Sequence, residues 1–406
     1  MLISIFLLFF LISILWWFYC GYLLFLFLYN RFKGSQPPRT TGDEELPGVY
    51  IIVPTYNEEE LVRQKINNIN QTTIATEKLH VIFIDGGSTD NTPKIIQKLI
   101  KNRCNWQLIR SSHFGKINQL NFALGYLDQI DPSSIIINTD VDALLASNSV
   151  ELIVKMLTYN PSIGVVGGNI TPSRFAIKLE AQHWRQQNQM RMIESSLYSC
   201  SSVVAPCYGF KRSLLKRFPD DCIADDLYLA YYANSKGLLV KYLPEAKGEE
   251  IRVPQRHLDY IAHKFRKTNA CLREGFRFLS LFSTYPSQWK LIYSVKFMQL
   301  ILCPFITAFF IIYSILLLFK ENLTSVIVIF GWMLFFAGMT ITTPFLLRVM
   351  EVKKNNGING DSPGSMINLF SSLFLMILII TSSVIIYPFY KQDSHYSKVS
   401  SRQDRV

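Results

Sequence analysis

The chain has 406 residues, of which 49% are hydrophobic and only 17% charged, and its net charge is +11. This length allows a complete α/β domain and a second region, and the low charged fraction with apolar runs at both ends argues against an ordinary soluble protein. The basic excess favours a membrane surface or phosphate-bearing ligands over nucleic acid as partners. The seven cysteines have no zinc-binding spacing, so we interpret them as reduced, packed thiols of a cytosol-facing protein.

The N-terminal region, residues 1–30, is predicted to be a transmembrane helix. Its run over 2–29 carries no charge and is long enough to span a bilayer. It lacks a basic leader and a small-residue cleavage site, which favours an anchor over a signal peptide. Arg31, Lys33 and Arg39 follow, so the positive-inside rule places the N-terminus outside and the next domain in the cytosol. Residues 31–47 are interpreted as a polar linker.

Residues 48–250 show the alternation of short apolar runs and helical segments that is typical of an α/β domain with a mostly parallel sheet. The predicted strands lie near 49–53, 79–84, 106–109 and 135–137, and a further short strand lies near 163–168. Neither a G-x-G-x-x-G pattern nor a P-loop follows the first strand. The sequence therefore excludes the dinucleotide-binding version of this architecture.

Two carboxylates one residue apart, Asp140 and Asp142, follow the predicted strand at 135–137. Ligands of open α/β sheets bind beyond the carboxyl ends of strands. Two hard oxygen ligands at this position suit a divalent cation that also holds a substrate's phosphates. Taken alone, an ordinary surface turn is the competing interpretation. A second acidic pair, Asp225 and Asp226, begins a predicted helix, where acids can also serve only to stabilise the helix dipole.

Five short motifs occur in order between residues 49 and 267. They are Pro54-Thr55-Tyr56-Asn57-Glu58, Asp85-Gly86-Gly87-Ser88, Gly115-Lys116 followed by Leu120-Asn121 and Ala123, Asp140-Val141-Asp142, and Ala224-Asp225-Asp226. Together they resemble the motifs of glycosyltransferase family 2, in the membrane-embedded branch that contains hyaluronan, cellulose, chitin and poly-N-acetylglucosamine synthases. Each motif alone is unspecific, whereas five in the same order are specific.

The resemblance implies a GT-A-like domain that binds a nucleotide-sugar donor, expected to be a UDP-sugar. The residues that it assigns to donor binding are Pro54, Tyr56, Glu58, Asp85, Lys116 and Asp140. It assigns Mg²⁺ or Mn²⁺ to Asp142 with help from Asp140, and the role of general base to Asp226, with Asp225 in support. Sugar transfer needs charge neutralisation on the leaving diphosphate and a base for the acceptor hydroxyl, and a single displacement inverts the anomeric carbon.

One motif departs from the family pattern. Alignment on Val253-Pro254 places His263, Arg266 and Lys267 where synthases of this branch carry Gln-x-x-Arg-Trp. Arg266 can still bind the diphosphate, with His263 beside it in the substrate site. The tryptophan that helps to form the acceptor platform is replaced by Lys267, which weighs against processive polymerisation. Residues 251–290 also have the pattern of basic amphipathic helices at a membrane interface, and this role is compatible with the first.

Residues 291–390 are predicted to contain three transmembrane helices, near 291–319, 323–347 and 367–390, before a polar tail at 391–406. With one span before the domain and three after it, both termini would lie outside. The basic residues of the tail argue against that placement, so one span can be miscounted. We therefore expect an integral protein of the plasma membrane with its catalytic domain in the cytosol and membrane lipid as a partner.

Three functions are compatible with the sequence. The first is an inverting transferase that extends a polysaccharide or oligosaccharide and threads it through its own helices. The second uses the same chemistry on a lipid acceptor, such as a polyprenyl phosphate or diacylglycerol. The third is a non-catalytic membrane assembly subunit, which the intact Asp140, Asp142 and Asp226 disfavour. The sugar, the linkage and the oligomeric state stay open.

Overall fold

The computed structural model describes residues 2–33, 42, 45–111, 115–318, 330–331 and 366–389. The described chain divides into a helical unit, built from its two ends, and an α/β unit that spans 45–285 except for 196–198. The predicted span at 323–347 lies outside the described residues apart from 330–331, as do the tail at 391–406 and most of the linker at 31–47.

The α/β unit is organised around one sheet of eight strands within the described residues. The strands are β1 (Val49–Thr55), β2 (Leu79–Asp85), β3 (Trp106–Arg110), β4 (Ile135–Thr139), β5 (Ala143–Leu145), β6 (Ile163–Pro172), β7 (Cys207–Lys211) and β8 (Leu239–Glu250). Their order is β3-β2-β1-β4-β7-β6-β8-β5. All five residues of β4 are buried, as expected for a strand covered on both faces.

The prediction of a mostly parallel sheet is correct for β3-β2-β1-β4, but the rest of the sheet contains both parallel and antiparallel pairs. Neighbours in β3-β2-β1-β4 are parallel, as are β6 and β8. However, β7 is antiparallel to both β4 and β6, and β5 is antiparallel to β8. The reversal arises because the chain enters β7 at the edge where β4 ends, with Cys207 opposite Thr139, and runs back. The sheet is therefore mixed.

Helices lie before, between and after these strands along the chain. In chain order they are α1 (Leu2–Trp16), α2 (Tyr22–Lys33), α3 (Val62–Ile69), α4 (Thr92–Ile100), α5 (Lys116–Tyr126), α6 (Ser149–Tyr159), α7 (Lys178–Leu197), α8 (Asp225–Ser235), α9 (His257–Leu279) and α10 (Ser287–Leu318). A 3₁₀ turn spans Phe282–Thr284, and the last described helix spans Met366–Ile386. Ile66 of α3, Ile96 of α4 and Ile153 of α6 belong to one buried core with β1, β2 and β4.

The predicted amphipathic region at 251–290 contains one long helix, α9. Tyr260 and Leu272 of α9 are buried, whereas Leu258 is 78% exposed and Phe276 is 44% exposed. An apolar side chain as exposed as Leu258 is compatible with the predicted membrane interface, which stays a prediction.

The helical unit consists of apolar helices. In the N-terminal run, α1 passes through a π-helical segment, Trp17–Gly21, into α2. The Gln299 amide of α10 donates a hydrogen bond to the Phe18 carbonyl, and the Lys296 ammonium lies 5.5 Å from the ring centroid of Tyr22. By length and hydropathy, one helix among the described residues could cross a membrane, over Ser287–Phe309.

The tight packing of β7 against β4 and α6 gives a test of the fold. A Cβ atom on Gly209 would lie 2.6 Å from both Ile137 Cδ1 and Ile153 Cγ2. We expect Gly209→Ala to destabilise the protein by about 1–3 kcal/mol, because a packed core has no space for the methyl group. The measurement is the apparent melting temperature of the purified protein.

Gly125→Ala in α5 is the matched control. No atom of the described chain outside its own helix and neighbours lies within 4 Å of a Cβ built there. Alanine also favours the helix over glycine by up to about 1 kcal/mol. We expect an unchanged or higher melting temperature, and equal losses in the two variants would contradict the packing described here.

Candidate active site

Three polar motifs meet at the carboxyl edge of the parallel strands. Thr55 ends β1 opposite Asp85, which ends β2, and Asp140 directly follows β4. Asp85 is 2% exposed, and its carboxylate accepts hydrogen bonds from the Ser88 backbone and hydroxyl. This edge is where open α/β sheets bind ligands, as the sequence predicted.

Hydrogen bonds connect the loops after β1 and β2 to each other. Asn57 adopts a left-handed conformation (φ 51°), and its side-chain oxygen accepts a 2.8 Å hydrogen bond from the Thr89 backbone. In return, the Asn57 backbone donates to the Ser88 hydroxyl at 2.9 Å. The Asn91 backbone donates to Glu59 at 3.0 Å. These reciprocal bonds fix Tyr56 and Glu58 relative to Asp85, and Tyr56 remains 41% exposed at the edge.

A close approach explains the glycine at position 86, where the family motif that Asp85-Gly86-Gly87-Ser88 resembles, Asp-Asp-Gly-Ser, has its second aspartate. The Gln119 amide of α5 donates a 2.7 Å hydrogen bond to the Thr55 carbonyl. On its way it passes Gly86 so closely that a Cβ atom there would lie 2.1 Å from Gln119 Nε2. Gly86 therefore makes room for the side chain that connects α5 to β1.

Lys116 joins two of the predicted motifs. Gly115, with φ 98°, turns the chain into α5 and leaves Lys116 as its first residue. The Lys116 ammonium lies 2.8 Å from an Asp140 oxygen and 3.2 Å from an Asp225 oxygen. The Tyr208 hydroxyl donates a 2.7 Å hydrogen bond to the same Asp225 oxygen. The acidic pair at the start of α8 is thus held beside the Asp140–Asp142 loop.

Arg252 joins two further motifs and was not predicted from the sequence. Its guanidinium makes a two-pronged contact with Glu58, through one nitrogen at 3.1 Å and through the other at shorter range. The first nitrogen also lies 3.5 Å from Asp142. Only its position just before Val253-Pro254 singles it out in the sequence, because its partners lie 194 and 110 residues away.

Burial and like charge shift the pKa values of the two central acids upward. Burial raises the pKa of Asp142, the charge of Asp140 raises it further, and Arg252 opposes the shift. Burial also raises the pKa of Asp225, with Lys116 opposing it and Asp226 adding to it. Each of these carboxylates therefore depends on a neighbouring cation to remain ionised.

The residues present fit a divalent ion. Asp140 and Asp142 carry adjacent negative charges on one turn, and a dication held between them would relieve their repulsion. The described residues contain no cluster of three or more His, Cys, Asp or Glu side chains with metal-binding geometry. An ion held by two carboxylates, with waters and substrate phosphates as its other ligands, is typical of magnesium and manganese sites.

Asp226 is half-buried at the start of α8, and its carboxylate accepts a 2.9 Å hydrogen bond from the Leu227 backbone. Arg191 of α7 is near enough that the charge of Asp226 raises the pKa of Arg191, although burial lowers it more. Asp226 therefore faces a different environment from Asp225, which is fixed by Lys116 and Tyr208.

His263 and Arg266 lie on α9, beside a second group of side chains. Burial and the charges of Lys267, Lys264 and Arg266 lower the pKa of His263, so the imidazole is neutral. The Lys267 ammonium is 5.8 Å from the ring centroid of Trp184 on α7, and Lys264 forms a buried 2.7 Å ion pair with Glu180. The lysine that replaces the family's tryptophan thus lies on the face of another tryptophan.

Two family models match this chain. Glycosyl transferase family 2 matches residues 50–218, and glycosyl transferase family group 2 matches residues 135–343, which is half of the chain. Together with the site, these matches define the protein as a sugar-transferring enzyme, and the predicted class is confirmed. The chain belongs to glycosyl transferase family group 2.

Two curated relatives share less than a quarter of their aligned residues with this chain. The poly-β-1,6-N-acetyl-D-glucosamine synthase of Staphylococcus aureus (strain COL) is 22% identical over 223 residues, which cover 53% of this chain and 52% of the relative. The N-acetylglucosaminyltransferase of Neorhizobium galegae is 23% identical over 279 residues, with 64% and 63% covered. The chain spans about half the length of the first relative and less than two thirds of the second.

A solved structure shows the same fold. The mannosyltransferase PcManGT from Pyrobaculum calidifontis, in complex with GDP-Man and Mn²⁺, superposes with a TM-score of 0.64 at 23% identity. The match covers 84% of this chain and 97% of the mannosyltransferase. It confirms the predicted GT-A-like α/β fold, here with a mixed sheet.

The fork of Arg252, meaning the contacts of its guanidinium with Glu58 and Asp142, gives a test of the site. We expect Arg252→Lys to lower kcat/KM for sugar transfer about 10- to 100-fold, because a lysine keeps the charge but cannot contact Glu58 with two nitrogens and reach Asp142. Arg217→Lys is the control, since Arg217 pairs with Asp220 in an exposed contact. Wild-type activity in Arg252→Lys would contradict a role for the fork.

Proposed function

We propose that this enzyme transfers a sugar, with inversion, from a UDP-sugar or a related nucleotide-sugar onto a growing polysaccharide or oligosaccharide at the cytosolic face of the plasma membrane. Translocation of the product through the helical unit is part of this proposal. The main supporting observation is that Lys116 forms ion pairs with both Asp140 and Asp225. These contacts connect the Asp140–Asp142 loop with the acidic pair of α8. Donor activation and proton removal then occur in one site.

In this proposal the nucleoside binds between the fastened loops after β1 and β2. Asp85 is held by Ser88 and faces the base, and Pro54, Tyr56 and Glu58 border the ribose. Lys116 contacts the diphosphate from the start of α5, where backbone N–H groups also favour an anion. Supporting this donor class, the structurally similar mannosyltransferase is described in complex with GDP-Man.

Asp142 and Asp140 would hold Mg²⁺ or Mn²⁺, which would neutralise negative charge on the leaving diphosphate. Mn²⁺ accompanies GDP-Man in the similar mannosyltransferase. Lys116 and Arg252 already compensate these carboxylates. Both cations can turn to the diphosphate when it binds, and Arg266 on α9 is proposed as a further contact to it.

We assign the general base to Asp226. Its neighbour Asp225 is buried and held by Lys116 and Tyr208, so Asp225 acts as a positioning residue. Asp226 is half-buried and accepts a hydrogen bond from its own helix, which leaves its second oxygen able to accept the proton of an acceptor hydroxyl. The hydroxyl oxygen forms the new bond to the anomeric carbon while the bond to the diphosphate breaks, and the configuration inverts.

Exposed apolar surface in the helical unit supports membrane insertion. Four residues of α10 with helical spacing are each at least 40% exposed: Phe305, Phe309, Ile312 and Leu316. A contiguous apolar stripe of this kind is costly in water and favourable in lipid. We therefore propose membrane lipid as its surroundings.

The roles of Asp226 and Asp142 can be separated by amide substitutions. We expect Asp226→Asn to retain binding of the nucleotide-sugar but to lower transfer about 10²- to 10⁴-fold, because only the base is lost. We expect Asp142→Asn to lose the increase in nucleotide affinity that Mn²⁺ gives to the wild type.

Nucleotide binding is measured by calorimetry with and without Mn²⁺, and transfer with labelled sugar nucleotides. Glu151→Gln, at a partly exposed position in the first turn of α6, is the control and should change neither quantity. Normal turnover in Asp226→Asn would refute the assignment of the base.

A lipid acceptor is the second candidate, and Lys267 favours it. An exposed ammonium on the face of Trp184 suits the phosphate of a polyprenyl phosphate better than a neutral sugar ring. The non-catalytic alternative is dropped, because the chain belongs to an enzyme family.

The two acceptors predict different products. We expect label from UDP-[¹⁴C]sugars in membranes to appear in high-molecular-weight material that organic solvent does not extract. Label in the solvent extract would support the lipid acceptor instead. In that case Lys267→Met should lower product about tenfold, the effect of one charge-assisted contact, while Lys267→Arg should retain it.

A further inference from the structure

We propose that Lys65 is a buried counter-cation that positions the Asp140–Asp142 loop. This inference deepens the proposed function, on which the importance of that loop rests. Lys65 lies on α3, is 0% exposed, and belongs to none of the five motifs. A buried lysine is rare because removing an ammonium from water is costly unless partners compensate it.

Lys65 forms hydrogen bonds with the residues on either side of the loop. Its ammonium donates a 2.7 Å hydrogen bond to the hydroxyl of Thr139, the residue before Asp140. It donates a second, short hydrogen bond to the carbonyl of Ala143, the residue after Asp142. One side chain thus spans the whole tripeptide Asp140-Val141-Asp142. The Ala143 backbone also donates to the Asp140 carbonyl at 3.2 Å, which closes the turn.

The charge of Lys65 matters as well as its hydrogen bonds. Burial lowers the pKa of Lys65 to about 8, while the charges of Asp140 and Asp142 are among those that oppose this shift. The ammonium is therefore largely protonated at neutral pH, next to a loop whose two carboxylates repel each other. Lys116 and Arg252 contact the same carboxylates and are partly exposed, with 20% and 14% of their side chains accessible. Lys65 is fully enclosed.

A purely structural lysine is the competing explanation, and α3 supplies a matched control. Asn68, one turn further along, also bonds the chain after the loop. Its amide donates to the Leu145 carbonyl at 2.7 Å and accepts from the Leu145 backbone at 2.8 Å. Asn68 thus fixes β5 with two hydrogen bonds but without a charge. Comparison of the two positions separates counter-charge from local bonding.

The test is a double-mutant cycle in full-length protein with EDTA present, read as apparent melting temperature. Lys65→Gln keeps an amide donor and removes the charge. We expect it to lower the melting temperature by about 5 °C. In an Asp142→Asn background the same change should cost less than half as much, because the repulsion that Lys65 offsets is reduced. Asn68→Leu should cost the same in both backgrounds.

Equal losses from Lys65→Gln in the two backgrounds would overturn the proposal. If Lys65→Gln alone does not fold, recovery of folded protein in the double variant with Asp142→Asn supports the proposal, and failure to recover it overturns it. This cycle needs no metal, so it reports on Lys65 even if the metal part of the proposed function is wrong.

Addition of Mn²⁺ gives the second readout. A dication compensates the same two carboxylates, so the rise in melting temperature with Mn²⁺ should be larger in Lys65→Gln than in wild type and unchanged in Asn68→Leu. A rise in wild type that is no larger in Lys65→Gln argues against the counter-charge role. If Mn²⁺ alone does not raise the melting temperature of the wild type, the cycle in EDTA decides the role of Lys65.

Discussion

Mutual compensation of charge at the carboxyl edge of the sheet is the constraint on which this site depends. Glu58, Asp140, Asp142 and Asp225 converge there from separate parts of the chain, and like charges cannot be gathered in a partly buried place without cations. Lys116 and Arg252 supply them through direct ion pairs. Each cation joins acids from two motifs, so the contacts that make the cluster tolerable also determine its geometry.

Much of the site could be predicted from sequence because its parts are local. Asp85 and Asp140 follow buried apolar runs, and strands of that kind end at a common edge. Arg252 and Lys65 could not be predicted in this way. Their partners lie 74 to 194 residues away, and neither belongs to one of the five motifs. Lys65 does lie on the buried face of α3 with Val62 and Ile66, but that position does not indicate its partners. Ion pairs between distant segments become visible only when the fold brings the segments together.

The mixed sheet has a similar explanation. The residues of β7, Cys207–Lys211, were not predicted as a strand, and nothing in them reveals the direction in which they enter the sheet. Alternation of strands and helices favours parallel neighbours, but a strand that enters at the edge where its neighbour ends must run backwards. The antiparallel β7 has a functional result, because it places Tyr208 where its hydroxyl reaches Asp225.

The contact between Gln119 and Gly86 constrains which residues can occupy the two positions together. A Cβ atom at position 86 would lie 2.1 Å from Gln119 Nε2, so the aspartate of the family motif does not fit here unless the Gln119 side chain moves. An aspartate at position 86 would require residue 119 to be shorter or to turn away, and its hydrogen bond to β1 would be lost. Among homologues, a glycine at the first position should therefore accompany a long side chain at the second, and the pair should be inherited as one unit.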